Sequence, residues 1–195
     1  VAFALTIVVW KEDAVSKKEQ KALDEMAAQA PQTELPVITC EAGDINAPVK
    51  GNAVPYTEIP DPTFASGILG TGVGINPVGE TVFAPYDGTI SSVADSKHAI
   101  GITGAGDMEL LIHVGVDTVE MNGDGFECLV KTGDEVKAGQ PLMKFDRAKI
   151  AAAGHPDMVV VLLTNADDYD AVEIHPEAEQ EGDAVAAPAE APAMA

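Results

Sequence analysis

The chain has 195 residues, 46% of them hydrophobic, enough for one substantial core with extensions. Eleven Lys and Arg stand against thirty-two Asp and Glu, a formal charge of -21 at pH 7, which excludes nucleic acid as a partner because phosphate backbones are held by basic clusters. Cys40 and Cys128 are far apart, which rules out a close metal knuckle or redox pair, suggests a reducing compartment, and makes neither thiol a nucleophile.

Residues 1–10 (VAFALTIVVW) are apolar and uncharged, but fewer than the roughly 20 needed to cross a bilayer. With Trp10 and the lysines at 11, 17, 18 and 21 behind them, they read as the end of a longer membrane helix at its cytoplasmic exit. A short buried helix of a soluble protein is the alternative. Residues 11–37 mix Lys, Glu and Ala without an apolar face and then turn proline-rich, so they read as a linker.

From residue 38 to 175 short apolar runs alternate with Gly, Pro, Asn and Asp, the pattern of an all-β domain. Strands are expected at 45–49, 52–56, 73–76, 81–84, 88–94, 98–103, 108–114, 127–131, 141–145 and 158–164, in an antiparallel sandwich or barrel with little helix. The one helix expected inside the domain is Arg147 to Ala153, stopped by Gly154-His155-Pro156. Residues 176–195 are acidic and Ala/Pro-rich without aromatics, and are expected to stay disordered.

Two histidines carry the chemistry. Between Met108 and Val116 the alternation puts Leu110, Ile112, Val114 and Val116 on one face and Leu111, His113, Gly115 and Asp117 on the other, so His113 points away from the core. The turn Thr103 to Asp107 (TGAGD) would fold the preceding strand back and bring His98 beside it. Imidazole titrates near neutrality and can attack, donate or bind a metal, so a facing pair suits group transfer. Two unrelated surface histidines would satisfy the same spacing.

Other motifs weigh less. Gly70 to Gly74 (GTGVG) leads into Ile75-Asn76-Pro77 rather than a helix, so it is a turn and not a nucleotide loop. His113 and Asp117 have a spacing found in zinc peptidases, but in an extended strand four residues span about 13 Å, and a third ligand is lacking. The segments FAPYDGTISSV (83–93) and GDEVKAGQPL (133–142) resemble the paired half-motifs of biotinyl and lipoyl carrier domains. Both are turns feeding strands, as two interlocked β-halves require, and Lys144 lacks the hairpin tip that a carrier lysine needs. His155 and His175 sit beside prolines in loop-like contexts and read as solvated.

The pieces APVKGNAVPYTEIPDPTFASGILGTGVGINP, FAPYDGTI, SKHAIGI, ELLIHVGVDTV, NGDGF and GDEVKAGQPL, in this order, closely resemble the glucose-family enzyme IIA domain of the bacterial phosphoenolpyruvate:sugar phosphotransferase system. Together with the apolar start, the chain resembles the C-terminal part of a fused β-glucoside-, sucrose- or glucose-type permease. The resemblance implies that His113 accepts a phosphoryl group from the phosphocarrier HPr and passes it to a IIB cysteine, with His98 as support and Ser96 orienting the pair. Asp61 and Asp117 would border the active face, Phe64, Ile68, Leu69, Ile100 and Leu111 would form an apolar docking centre, and backbone N–H groups near Val114 and Gly115 would serve as donors. No metal or other cofactor is implied. Further implied partners are the IIB and IIC domains of the permease, with the sugar bound only by IIC, and the implied location is the cytoplasmic face of the membrane. A phosphorylation-dependent regulatory binding module is the competing reading.

Overall fold

Five successive apolar residues, Val159–Leu163, suit a strand buried on both faces. In the computed structural model, which describes residues 44–169, 172–174 and 184–188, they form an interior strand of a seven-stranded sheet. In chain order the strands are β1 (Ile45–Asn46), β2 (Gly51–Pro55), β3 (Thr71–Pro77), β4 (Thr81–Phe83), β5 (Gly88–Val93), β6 (Ala99–Gly104), β7 (Glu109–Val114), β8 (Phe126–Cys128), β9 (Glu135–Val136), β10 (Pro141–Phe145), β11 (Val159–Leu163), β12 (Val172–Ile174) and β13 (Ala184–Pro188). The large sheet has the order β2-β3-β11-β7-β6-β5-β9, and two three-stranded sheets run β4-β10-β8 and β1-β13-β12. Every pairing is antiparallel, so the domain is the antiparallel all-β sandwich expected. Among the described residues no helix is long and apolar enough to cross a membrane.

The main core gathers the inward residues of all these layers. Val159, Val161 and Leu163 of β11, Leu110, Ile112 and Val114 of β7, Ile100 and Ile102 of β6, and Leu142, Met143 and Phe145 of β10 lie in one cluster. The opposite face of the large sheet is buried only in part. There Val160 and Leu162 of β11 join Ile59, Phe64 and Met158 in a second, smaller cluster. A single strand feeding both clusters explains why β11 shows no polar alternation.

Several boundaries differ from the sequence reading. β1 covers only the first two residues of the expected 45–49, and β8 ends at Cys128 rather than residue 131. The two-residue β9 was not anticipated, because a strand so short carries no period. A second helix, α1 (Pro62–Ala65), precedes the expected α2 (Arg147–Ala153). One turn is too short for an apolar stripe, but Asp61-Pro62 bears the mark of a helix start. Oδ1 of Asp61 accepts the N–H groups of Thr63 at 2.8 Å and Phe64 at 3.0 Å.

Within the segment expected to stay disordered, the described residues Ala184–Pro188 form a strand that pairs with β1 on one side and β12 on the other. Composition argues from side chains that cannot fill a core, whereas this strand is held by its backbone between two open sheet edges. The expected membrane-helix end, the linker, Cys40 and His175 fall outside the described residues.

Two locks hold the sandwich where the sequence shows turns. Asp87 of the first half-motif accepts from Nζ of Lys137 at 2.8 Å and from the N–H of Ala138 at 2.9 Å, tying it to the second half-motif. At the β6–β7 turn, Oδ1 of Asn165 accepts from the N–H of Glu109 at 2.9 Å, and its Nδ2 donates to Asp107 O at 2.9 Å. That turn is closed by Gly106 with φ +67°, a left-handed conformation that glycine takes at no steric cost.

Candidate functional site

β7 supplies the first histidine by simple alternation. With Leu110, Ile112 and Val114 turned to the main core, His113 projects from the other face. In the β6–β7 register Ala99 stands opposite His113, and His98, one residue before β6, brings its ring beside that of His113. The two rings meet edge to face, centroids 4.5 Å apart and planes at 79°. Phe64 of α1 closes on the far side of His113, 5.1 Å away at 64°. His113 is therefore held between an imidazole and a phenyl ring, half-buried, while His98 is only 7% exposed.

Hydrogen bonds assign the ring atoms. Nδ1 of His113 lies 2.8 Å from Gly115 O, and a carbonyl can only accept, so the proton sits on Nδ1 and Nε2 carries a free lone pair. Nδ1 of His98 lies 2.7 Å from Oγ of Ser96. When that hydroxyl donates, the His98 proton sits on Nε2 and becomes a donor on the side away from Ser96. The bend that aims Ser96 is tight: Lys97 has φ +58°, its N–H donates to Ala94 O at 2.8 Å, and the N–H of Ala94 donates to Ala99 O at 3.0 Å.

Burial, and then the neighbouring His98, push the His113 pKa down to about 4, although the Gly115 bond and the charges of Asp61 and Asp117 work in the opposite direction. Burial lowers His98 as well. Both rings are accordingly neutral near pH 7, the state in which an imidazole nitrogen is nucleophilic.

The other residues expected at the site fall into three groups. Ile68, Leu69 and Asp117 are exposed, Ile68 at 79%, and Leu111 is half-buried. Asp61 and Phe64 are near the histidine but occupied: the carboxylate caps α1 and the ring is 8% exposed in the second cluster. Ile100 is a correction. It is 0% exposed in the main core, because its partner across the β6–β7 ladder is the inward Ile112, and paired residues share a face. The Val114 and Gly115 amides are a second correction, since they already donate to His98 O at 2.8 Å and Met158 O at 2.9 Å.

Sequence reasoning missed the Gly115 carbonyl, the buried Thr118 and the support from Pro156 and Met158. Only Gly115 left a trace, a glycine just past the strand where φ is +78°. His155 lies in the loop after α2, its backbone N–H donating to Ile150 O at 3.1 Å. Among the described residues no group of three or more His, Cys, Asp or Glu side chains could hold a metal ion.

Comparison with known proteins gives the family. Residues 43–169 match the family model described as phosphoenolpyruvate-dependent sugar phosphotransferase system, EIIA 1. The glucose-specific EIIBCA component of Corynebacterium glutamicum is 44% identical over 126 residues, which is 65% of this chain but only 19% of that protein. The glucose-specific EIIA component of Staphylococcus epidermidis is 40% identical over 130 residues, 67% of this chain and 78% of that one. Among solved structures, glucose permease IIA from Mycoplasma capricolum superposes with a TM-score of 0.67 at 32% identity, covering 73% of this chain and 93% of that chain. The chain therefore belongs to the EIIA 1 family of the phosphoenolpyruvate-dependent sugar phosphotransferase system.

Proposed function

We propose that His113 is the phosphoryl carrier of this domain, loaded from the phosphohistidine of HPr and unloaded onto a cysteine of a IIB domain. The observation that carries the reading is the free Nε2 of His113, defined by the Nδ1 bond to Gly115 O and set beside the His98 ring. In the loading step the Nε2 lone pair forms a bond to phosphorus as the donor's N–P bond breaks, and the donor imidazole keeps the electron pair. The proton on Nδ1 stays in its bond to Gly115. A transition state of this kind spreads charge over the equatorial phosphoryl oxygens, and the protein's task is to position and donate rather than to react elsewhere. His98 Nε2–H is the donor proposed for that charge, with Ser96 holding its tautomer. In unloading, the IIB thiolate attacks phosphorus and Nε2 leaves.

Exposed Ile68 and Leu69, with half-buried Leu111 and the carboxylate of Asp117, are the docking surface in this proposal. A modest apolar centre with an acidic rim suits partners that must leave at every turnover. The name of the fused relative, EIIBCA, supports IIB and IIC domains as partners, and a place at the cytoplasmic face of the membrane is part of the same proposal. The sugar would be chosen by IIC.

Incubation with phosphoenolpyruvate, enzyme I and HPr should give an acid-labile, base-stable phosphate on His113. Phosphate found on another residue, or none at all, would reject the proposal.

A further inference from the structure

Behind His113 lies a buried polar side chain that the transfer scheme leaves unused. Thr118 is 0% exposed. Its hydroxyl donates to the carbonyl of Val114, the residue that follows His113 and is itself 0% exposed at the end of β7. Its methyl group fills the space at Gly115: a Cβ there would run into Cγ2 of Thr118 and would lie 3.0 Å from Pro156 O. The main chain holds the same turn from the other direction, with the N–H of Gly115 on Met158 O at 2.9 Å and that of Val116 on Pro156 O at 3.0 Å. Thr118 is thus a side chain that grips the turn whose Gly115 carbonyl receives the His113 proton.

We infer that Thr118 is a positioning residue for His113: by bonding Val114 O and closing the space at Gly115, it aims the Gly115 carbonyl at Nδ1 and so keeps the ring proton off Nε2. A carbonyl that swings away releases the tautomer, because neutral imidazole can carry its proton on either nitrogen. In the Nε2–H form the lone pair lies on Nδ1, on the Gly115 side, and none is left at Nε2 for phosphorus. The consequence for rate rests on the proposed role of His113, but the consequence for the tautomer does not.

The test reads the ring nitrogens of His113 by NMR in the full chain, alongside single-turnover loading from phospho-HPr. The unaltered protein should show Nδ1–H. Thr118→Val keeps the shape but leaves Val114 O without its donor, and should populate Nε2–H and slow loading about tenfold or more, with unchanged affinity for HPr. Thr118→Ser keeps the hydroxyl but not the methyl at Gly115, and should restore most of the tautomer and of the rate. An unchanged ring and rate in Thr118→Val, or a Thr118→Ser protein as impaired as Thr118→Val, overturns the inference. If Thr118→Val does not fold, the unaltered protein decides: Nε2–H at His113 overturns it, and Nδ1–H with a slowly exchanging Thr118 hydroxyl supports it. A chain that shows the expected tautomers but never loads phosphate defeats the functional proposal alone.

Discussion

The amide of Val114 donates to the carbonyl of His98 at 2.8 Å, so the residue after one histidine is bonded to the backbone of the other. This bond lies just beyond the last pair of the β6–β7 ladder, Ala99 with His113, and ties the two histidine-bearing segments together through their main chains. Their side chains are then adjusted separately, His113 through Gly115 O and His98 through Ser96.

Ser96 is the more removable of the two supports. Ser96→Ala should free the His98 ring to take either tautomer and slow phosphoryl loading about tenfold, whereas Ser96→Thr should retain most of the rate. Single-turnover loading of the two variants checks this; equal losses would mean that the hydroxyl is not what matters.

Exposure separates docking residues from core. Ile100→Ala, at a site 0% exposed, should lower stability by about 2–5 kcal/mol. Ile68→Ala, at a site 79% exposed, should change stability by less than about 0.5 kcal/mol and weaken HPr binding instead. Denaturant unfolding paired with a binding titration measures both.

A neutral His113 has a defined pH window. The free side chain titrates near 6.5, whereas in the fold burial and His98 push the value down to about 4. Between these values the unfolded chain binds more protons at this site. The associated stability is complete above about pH 6.5 and is lost as pH falls through about 4. A His113 ring titration with its midpoint near 6.5 would contradict this.

Removal of residues 177–195 should not be silent. It takes away β13, the central strand between β1 and β12, and with it the backbone ladder on both. A loss of about 2 kcal/mol is expected from several net hydrogen bonds, with faster amide exchange at Ile45, while loading of His113 stays within about twofold. Unchanged exchange at Ile45 would show that the strand contributes nothing to the domain.

Much of the site was legible because its logic is local. Alternation over six residues put His113 opposite Leu110, Ile112 and Val114, and the Gly-rich turn put His98 next to it. The all-β class followed from the same short-range periods and turn residues. What alternation cannot report is which outward face becomes covered. Phe64 and Asp61, expected as docking residues, are tied to His113 and α1 because a one-turn helix folds over the sheet. Ile100 was misplaced because its resemblance-based role took no account of register, and register puts it opposite Ile112. Thr118 and the Gly115 carbonyl left no periodic mark, since their parts depend on one backbone turn and on Pro156 and Met158, about forty residues away in sequence. β13 escaped for the opposite reason: small side chains cannot advertise a strand that is held by backbone pairing. The sequence by itself determined the two histidines, their sheet and the outward face of His113, because side-chain period is a local property. Only the tertiary structure decided which ring nitrogen is free and what surrounds it, because those depend on carbonyls and rings brought together from distant strands.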